Sequence, residues 1–215
     1  MRYTFEEMGL WKNGFHGHDH SIEKGRIVQA YRAFWDRACE MAKRIALDLP
    51  GLTLHDESHF VALWSRADQI AGSEYQLNPL ELFVFGGAIL LHDAAHTLSV
   101  YKDGLTELRA TSFWQDTAAQ MKSYALEEAE RTSRPYRGRR LLRRLNVGQD
   151  KAEKKYTEPL EADIQFNVLR RMHASKAEEL AFFSVVTPDR KSTYHLLEDD
   201  TFRNHLWQCN RLDRS

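Results

Sequence analysis

Two pentapeptides of this chain share the pattern His-Asp-x-x-His, and this repetition limits the folds that the chain can adopt. They are His55-Asp56-Glu57-Ser58-His59 and His92-Asp93-Ala94-Ala95-His96, and they begin 37 positions apart. Two histidines at positions i and i+4 share one face of a helix, where both rings can reach a common ion. Imidazole and carboxylate groups bind borderline divalent metals. The pair of motifs therefore predicts a metal centre carried by helices.

Composition adds limits on the class of protein. The chain has 215 residues, of which 42% are hydrophobic and 28% are charged, and its net charge is −1. These values predict one globular core and no global basic field for nucleic acid. The two cysteines are far apart, so a disulfide scaffold is not expected. The N-terminus lacks the pattern of a signal peptide, and the apolar run at 82–91 is too short to span a bilayer. We therefore expect a cytoplasmic protein without membrane contact.

Apolar spacing predicts an all-α fold, because no alternating segment of useful length predicts a β-strand. A helical face runs from Ile27 to Ile45, and Pro50 and Gly51 end it in a turn. Thr53 is the predicted N-cap of the next helix, which carries His55 and His59. Asn78 and Pro79 predict the start of the helix that ends in the second motif.

Glycines and arginines interrupt this helical pattern at two places. Gly86 and Gly87 cost helix propensity, and we expect them to let a neighbouring helix pack closely just before the second motif. Helical periodicity resumes over 107–130. Residues 131–144 then hold seven arginines. We interpret 131–157 as an exposed, arginine-rich connection that could bind nucleic acid.

The remaining segments complete the predicted organisation. A last long helix is expected from Pro159 to about Val185, with His173 on it, and a short helix over 200–209. We divide the chain into an N-terminal segment, 1–26, and a helical domain, 27–215.

The spacing of the motifs predicts how the metal centre is assembled. His59 precedes His92 by 33 residues, which suffices for one helix, a turn and a returning helix. His59, His92 and Asp93 would then meet in an antiparallel helix pair. This mixed ligand set suits Mn²⁺, Fe²⁺, Co²⁺, Ni²⁺ or Zn²⁺, and Mg²⁺ stays in the set of candidates. Such an ion activates water and neutralises phosphoryl oxygens, so hydrolysis of a phosphoester is the expected chemistry.

The segments LTLHDESHFVALWSRADQIAG and LNPLELFVFGGAILLHDAAH resemble the core of the HD superfamily of metal-dependent phosphohydrolases. Within it the chain is most similar to the HD-CE type domain of bacterial conflict and defence proteins. That domain often precedes an Hsp90-like ATPase module, which is the partner that the resemblance implies. The later MHASKAEELA, with Arg170 and Arg171 before it, resembles an Arg-x-x-His-Ala element of that group. The resemblance implies an HD-domain helical bundle.

The same resemblance implies roles for particular residues. His59 matches the first metal ligand of the family, and His92 and Asp93 match its His-Asp doublet. His55 takes an accessory position, and His173 is a candidate ligand of a second metal or a phosphate contact. The family's final aspartate has no convincing match, because Asp163, Asp199, Asp200 and Asp213 lie in poor contexts. We expect a chain that is shortened at its C-terminus relative to the family.

Two hypotheses of function follow. In the first, the domain is an HD-type phosphohydrolase acting on a nucleotide or other phosphoester, with His92 and Asp93 at the catalytic metal and Arg170 or Arg171 holding phosphate. In the second, which the unmatched aspartate favours, it is a non-catalytic nucleotide-binding or regulatory module of a defence or signalling protein. A zinc protease is disfavoured, because its motif carries glutamate after the first histidine and both motifs here carry aspartate.

Plainer interpretations of the same residues stay open. His92 and Asp93 could cap a helix and face water. His55 and His96 are equally well explained as polar residues one turn from the site, and His173 as a core histidine.

Overall fold

The computed structural model describes residues 3–15, 22–52, 55–132, 149–180, 182–187, 190–200 and 202–203, with the backbone alone at 125–132 and 149–160. Seven α-helices account for most of these residues: α1 (Gly9–Phe15), α2 (Ile22–Asp48), α3 (Glu57–Ala71), α4 (Pro79–Leu91), α5 (Leu105–Ala110), α6 (Ser112–Thr132) and α7 (Gln149–Glu179). Two 3₁₀ turns, Thr4–Glu7 and Leu98–Val100, and two short strands, β1 (Ser184–Val186) and β2 (Thr193–His195), complete the described part. The predicted all-α class is confirmed.

The chain divides into two compact units. The first consists of Met1–Gly104 and Met172–Ser215, and the second of Leu105–Arg171. The first unit contains α1 to α4, both strands and the end of α7. The predicted boundary after residue 26 stays a prediction, although residues before it lie in the core of the first unit.

An aromatic cluster around Phe5 forms much of that core. Phe5 is fully buried, and its ring centroid lies 4.7 Å from that of Trp11, 4.9 Å from that of Tyr31 and 4.8 Å from that of Trp35. Trp11 belongs to α1. The first turn of α1 is linked to α3, because the carboxylate of Asp68 accepts the N–H of Leu10 at 2.5 Å. Residues of α1 and of the 3₁₀ turn before it are thus part of the core.

Helices α2 and α4 cross closely at a glycine. A Cβ atom on Gly86 would lie 2.4 Å from the hydroxyl oxygen of Tyr31, inside the space that the ring occupies. The Tyr31 hydroxyl in turn accepts a hydrogen bond from Trp64 Nε1 at 2.9 Å, which joins α3 to the same crossing. The expected close packing is therefore confirmed at Gly86.

Helix α4 begins at Pro79, as predicted, because Asn78 forms a capping box with Glu81. The Asn78 side chain accepts the N–H groups of Leu80 and Glu81 at 3.0 and 2.9 Å, and the Glu81 carboxylate accepts that of Asn78 at 2.8 Å. These contacts satisfy backbone donors that the first turn of a helix leaves without partners. Proline at the first helical position loses no hydrogen bond.

Several predicted boundaries differ from the structure. Helix α3 is capped by Asp56, not by Thr53, so His55 precedes the helix. The predicted helix over 107–130 is two helices, α5 and α6. Helix α7 begins at Gln149 and ends at Glu179, so 149–157 of the expected connection is helical, whereas 133–148 lies outside the described residues.

A hairpin replaces the predicted end of the last helix. Strands β1 and β2 pair antiparallel, with Val185 opposite Tyr194, and Val185 is fully buried. Branched and aromatic side chains favour this extended, half-buried surface over a continued helix. Of the short helix predicted over 200–209, residues 201 and 204–209 lie outside the described part.

The second unit is built by α5, α6 and the first part of α7. The buried apolar side chains among its described residues include Leu108, Trp114, Ile164, Val168 and Leu169, and Arg109 pairs with Glu161. Among the described residues of the whole chain, none of the helices has the length and apolar content needed to cross a membrane.

Candidate metal centre

The ends of two helices carry the centre. His59 lies in the first turn of α3, and His92 is the C-cap of α4, with Asp93 directly after it. His55 lies before α3, and His96 follows in the turn after α4. All of these residues belong to the first unit, as does His173 near the end of α7.

The turn after α4 is held in place by Asp48, the last residue of α2. One carboxylate oxygen of Asp48 accepts the N–H of Leu98 at 2.8 Å and the hydroxyl of Thr97. Thr97 is fully buried, and its hydroxyl oxygen also accepts the N–H of Ser99 at 3.2 Å. This buried network fixes the backbone that presents the second motif. No sequence signal in the motifs pointed to Asp48.

Asp93 is the hub of the cluster. Its Oδ2 lies 2.6 Å from His92 Nε2, 3.2 Å from His55 Nε2 and 3.4 Å from His59 Nε2. Its other oxygen, Oδ1, lies 3.5 Å from His96 Nδ1. One carboxylate therefore faces four imidazoles from both motifs.

Backbone hydrogen bonds orient two of these rings. Nδ1 of His92 lies 2.7 Å from the carbonyl oxygen of Ile89, and Nδ1 of His96 lies 3.1 Å from that of Asp93. A neutral ring that donates its Nδ1–H to a carbonyl carries its lone pair on Nε2, the usual arrangement of a metal-binding histidine. For His92 this lone pair points at Asp93 and at His59, whose Nε2 lies 3.2 Å away. Such a convergence of acceptors requires a proton or a cation between them.

The pKa values of the cluster follow from burial and from the Asp93–His92 pair. Burial acts to raise the pKa of Asp93, but the hydrogen bond and the charge of His92 outweigh it and lower that pKa to about 2. The hydrogen bond to Asp93 raises the pKa of His92. Burial and then the charge of His92 lower the pKa of His59. The Asp93–His92 hydrogen bond therefore favours the ionised carboxylate and the protonated imidazole in the absence of a metal.

His96 is the most deeply enclosed of these histidines. Its side chain is 6% exposed, and its ring stacks on that of His173 with centroids 3.9 Å apart. Burial, and after it the charge of His173, lowers the pKa of His96 to about 4. His96 is thus neutral at physiological pH.

Within the part of the chain that the structure describes, two sets of side chains have the geometry of a metal site. The first set is His59, His92 and Asp93, and the second set is His55, Asp93 and His96. Within each set the ligand atoms lie within 4.8 Å of one another. Imidazole nitrogen with one carboxylate fits a borderline divalent cation.

The structure thus brings together His55, His59, His92 and Asp93 as the sequence predicted, and it places His173 against His96. His96 was missing from the predicted ligands, although the i+4 spacing of the second motif indicated it. Arg170 belongs to the second unit and is exposed, and its predicted role at phosphate stays a prediction. Among the described residues, neither metal set contains a second carboxylate.

A helical bundle in which an apolar helix ends in a His-Asp doublet beside a histidine of the preceding helix has the architecture of an HD domain. The HD-CE family model matches residues 49–209, and the chain belongs to the HD-CE family. No curated protein and no solved structure matches the chain.

Proposed function

We propose that this HD-CE domain is a metal-dependent phosphohydrolase that acts on a nucleotide or another phosphoester. The convergence of His59, His92 and Asp93 on one point carries the proposal. His59 and His92 are 30% and 39% exposed at their side chains, whereas Asp93 is 15% exposed. A substrate can therefore reach the side of the cluster where these two histidines lie.

The residues of the first set have distinct tasks in this proposal. A divalent ion held there supplies activated water and offsets charge on phosphoryl oxygens. His92 is kept in its ligand orientation by the carbonyl of Ile89, and Asp93 contributes the negative charge. Three imidazoles lie around Oδ2 of one carboxylate, and this ratio favours Mn²⁺, Fe²⁺, Co²⁺, Ni²⁺ or Zn²⁺ over Mg²⁺, which prefers oxygen ligands.

A second candidate function is a nucleotide-binding or regulatory module without turnover. It is favoured by the ligand composition of the described site, in which Asp93 is the one carboxylate. Association with an ATPase module, a role in bacterial defence and nucleic-acid binding by 131–157 remain proposals that the family resemblance and the arginine content support.

The test compares metal content and hydrolysis in the same preparations. Purified protein is loaded with Mn²⁺ or Co²⁺, and its bound metal and its hydrolysis of a generic phosphodiester and of nucleotides are measured. The double variant His92→Ala, Asp93→Ala should lose both. His195→Gln, a half-buried histidine of β2 outside both sets, should retain both.

The outcomes separate the two candidates. Full hydrolysis by the double variant refutes the phosphohydrolase proposal. Nucleotide binding by the unaltered protein, with metal well below stoichiometric levels and no turnover, supports the regulatory module instead.

A further inference from the structure

A cavity of about 230 Å³ lies between α2 and residues 196–199, which follow β2, and it shares no residue with either metal set. Its apolar lining is formed by Ala30, Ala33, Phe34, Leu196 and Leu197. Two arginines of α2, Arg26 and Arg37, also line it, and all of its residues belong to the first unit. Concave sites with apolar walls and a few polar groups typically bind small molecules.

A basic cluster extends along α2 beyond this cavity. Arg44 lies seven residues after Arg37, about two turns further on the same face of the helix. Its Nε is buried, and among the described residues no acceptor lies within hydrogen-bond distance of that atom. A buried donor of a charged group is costly to leave unsatisfied. The buried Nε therefore indicates that Arg44 binds an acceptor from outside the chain.

Tyr194 of β2 lies close to both arginines of this cluster. Burial raises the pKa of Tyr194, and the charges of Arg44 and Arg37 act in the opposite direction, so both guanidinium groups are near its hydroxyl. Nη1 of Arg37 donates to the carbonyl oxygen of His195 at 3.2 Å, which holds this guanidinium beside β2. Guanidinium N–H groups and a tyrosine hydroxyl are donors that suit phosphate oxygens.

We propose that the cluster of Arg37, Arg44 and Tyr194, together with the cavity that Arg37 also lines, binds a nucleoside monophosphate. The phosphate accepts hydrogen bonds from the cluster, and the nucleoside packs against the apolar lining. Asp199 lines the same cavity and accepts a hydrogen bond from Arg26 at 2.9 Å. A carboxylate has further lone pairs, which can accept the hydroxyl or amino groups of a nucleoside. The site goes beyond both candidate functions, because its ligand binds without the metal centre.

Neighbouring carboxylates leave this cluster with a net positive charge. Glu198 pairs with Arg37, but the Glu198 side chain is 71% exposed, so a ligand can displace it at little cost. Glu40 also lies near the cluster, and it pairs with Lys43. Together with Arg44, the cations outnumber the two carboxylates. The charge of the site is therefore complementary to a phosphate.

The experiment measures ligand binding in the absence of a metal. Purified protein is freed of divalent ions with EDTA and titrated by calorimetry with the 5′-monophosphates of adenosine, guanosine, cytidine and uridine, and with inorganic phosphate. We expect one site per chain for at least one nucleotide. Inorganic phosphate should bind more weakly, because it makes no contact with the apolar lining.

Matched variants test the two halves of the site. Arg44→Gln should weaken binding of the nucleotide by about tenfold or more, since it removes a hydrogen bond between charged groups. Ala33→Leu fills the cavity and should weaken binding of the nucleotide but not of inorganic phosphate, and because Ala33 is exposed the core is not altered. Two controls should bind the nucleotide as the unaltered protein does: Arg66→Gln, at an exposed arginine of α3, and the double variant His92→Ala, Asp93→Ala. Circular dichroism melting confirms that each variant folds.

Each result decides the inference. It is overturned if none of the four nucleotides binds, or if either Arg44→Gln or Ala33→Leu leaves the affinity unchanged. Binding that is lost only in the double variant places the nucleotide at the metal centre, which overturns this site and leaves the proposed function intact. Binding that depends on Arg44 and Ala33, in a protein without metal-dependent hydrolysis, supports this site and refutes the proposed phosphohydrolase.

Discussion

The contact between Gly86 and Tyr31 predicts a large effect of a single methyl group. In Gly86→Ala the new Cβ would lie 2.4 Å from the Tyr31 hydroxyl oxygen and 2.6 Å from two ring carbons, whereas ordinary contact begins near 3.4 Å. Moving the ring is energetically costly, because Tyr31 is fully buried and its hydroxyl accepts a hydrogen bond from the Trp64 indole N–H. Either the ring or the α2–α4 crossing must move.

The magnitude follows from three contributions. Overpacking of a core costs about 1–3 kcal/mol. Loss of the Trp64–Tyr31 hydrogen bond destabilises the fold by about 1 kcal/mol more. The higher helix propensity of alanine offsets about 1 kcal/mol of this destabilisation. We expect Gly86→Ala to lower the free energy of unfolding by about 2 kcal/mol.

Urea unfolding followed by circular dichroism and tryptophan fluorescence measures this change. Gly25→Ala in α2 is the matched control, because a Cβ there meets nothing within 4 Å. It should stabilise the protein by about 0.5–1 kcal/mol. Removing the hydroxyl in Tyr31→Phe should make Gly86→Ala less harmful in a double-mutant cycle. Equal stability of Gly86→Ala and the unaltered protein would refute the reasoning.

Three further predictions concern the centre. Asp56→Asn should preserve metal binding and change stability by less than about 0.5 kcal/mol, since asparagine is also a good N-cap, whereas Asp93→Asn should lose the metal; calorimetry with Mn²⁺ compares the two. The pKa of His96 is about 4 in the folded state and near 6.5 in the unfolded state, so the unfolded state binds more protons between these pH values. The free energy of unfolding of the metal-free protein should therefore fall by on the order of 3 kcal/mol as the pH drops from 6.5 to 4. Urea unfolding at several pH values measures this slope, which His96→Gln should flatten. Because the metal replaces the proton of His92, whose pKa is raised, Mn²⁺ affinity should fall about tenfold per pH unit below that pKa, and a flat pH profile would contradict this exchange.

The elements that the sequence predicted well have strong local signals. Helix α4 combines a capping box, proline at its first position and an apolar run, and its start was predicted to the residue. The face of α2 repeats apolar residues over many turns, so its existence did not depend on one cap. The convergence of His59, His92 and Asp93 could be predicted from these helix assignments together with the spacing of the motifs.

The elements that were missed depend on competition between local signals. Thr53 and Asp56 both suit an N-cap, and the aspartate prevails by accepting the Ser58 N–H at 2.9 Å. Strands of three residues, such as β1, carry too little alternation to be recognised. The hydrogen bond from the Thr97 hydroxyl to Asp48 joins residues 49 positions apart, and no local sequence pattern predicts such a tertiary contact.

The two His-Asp-x-x-His motifs take different roles because one lies at the start of a helix and the other at the end of a helix. The first precedes α3, where backbone N–H groups lack partners, and Asp56 is used to cap them. The second follows α4, where the N–H of Ala94 already donates to Leu91 at 3.0 Å, so the carboxylate of Asp93 is left for the imidazoles. The position of a motif relative to the helix end, rather than its pattern, therefore decides which aspartate faces the imidazoles. It also explains how both motifs can contribute histidines to one centre that has a single carboxylate.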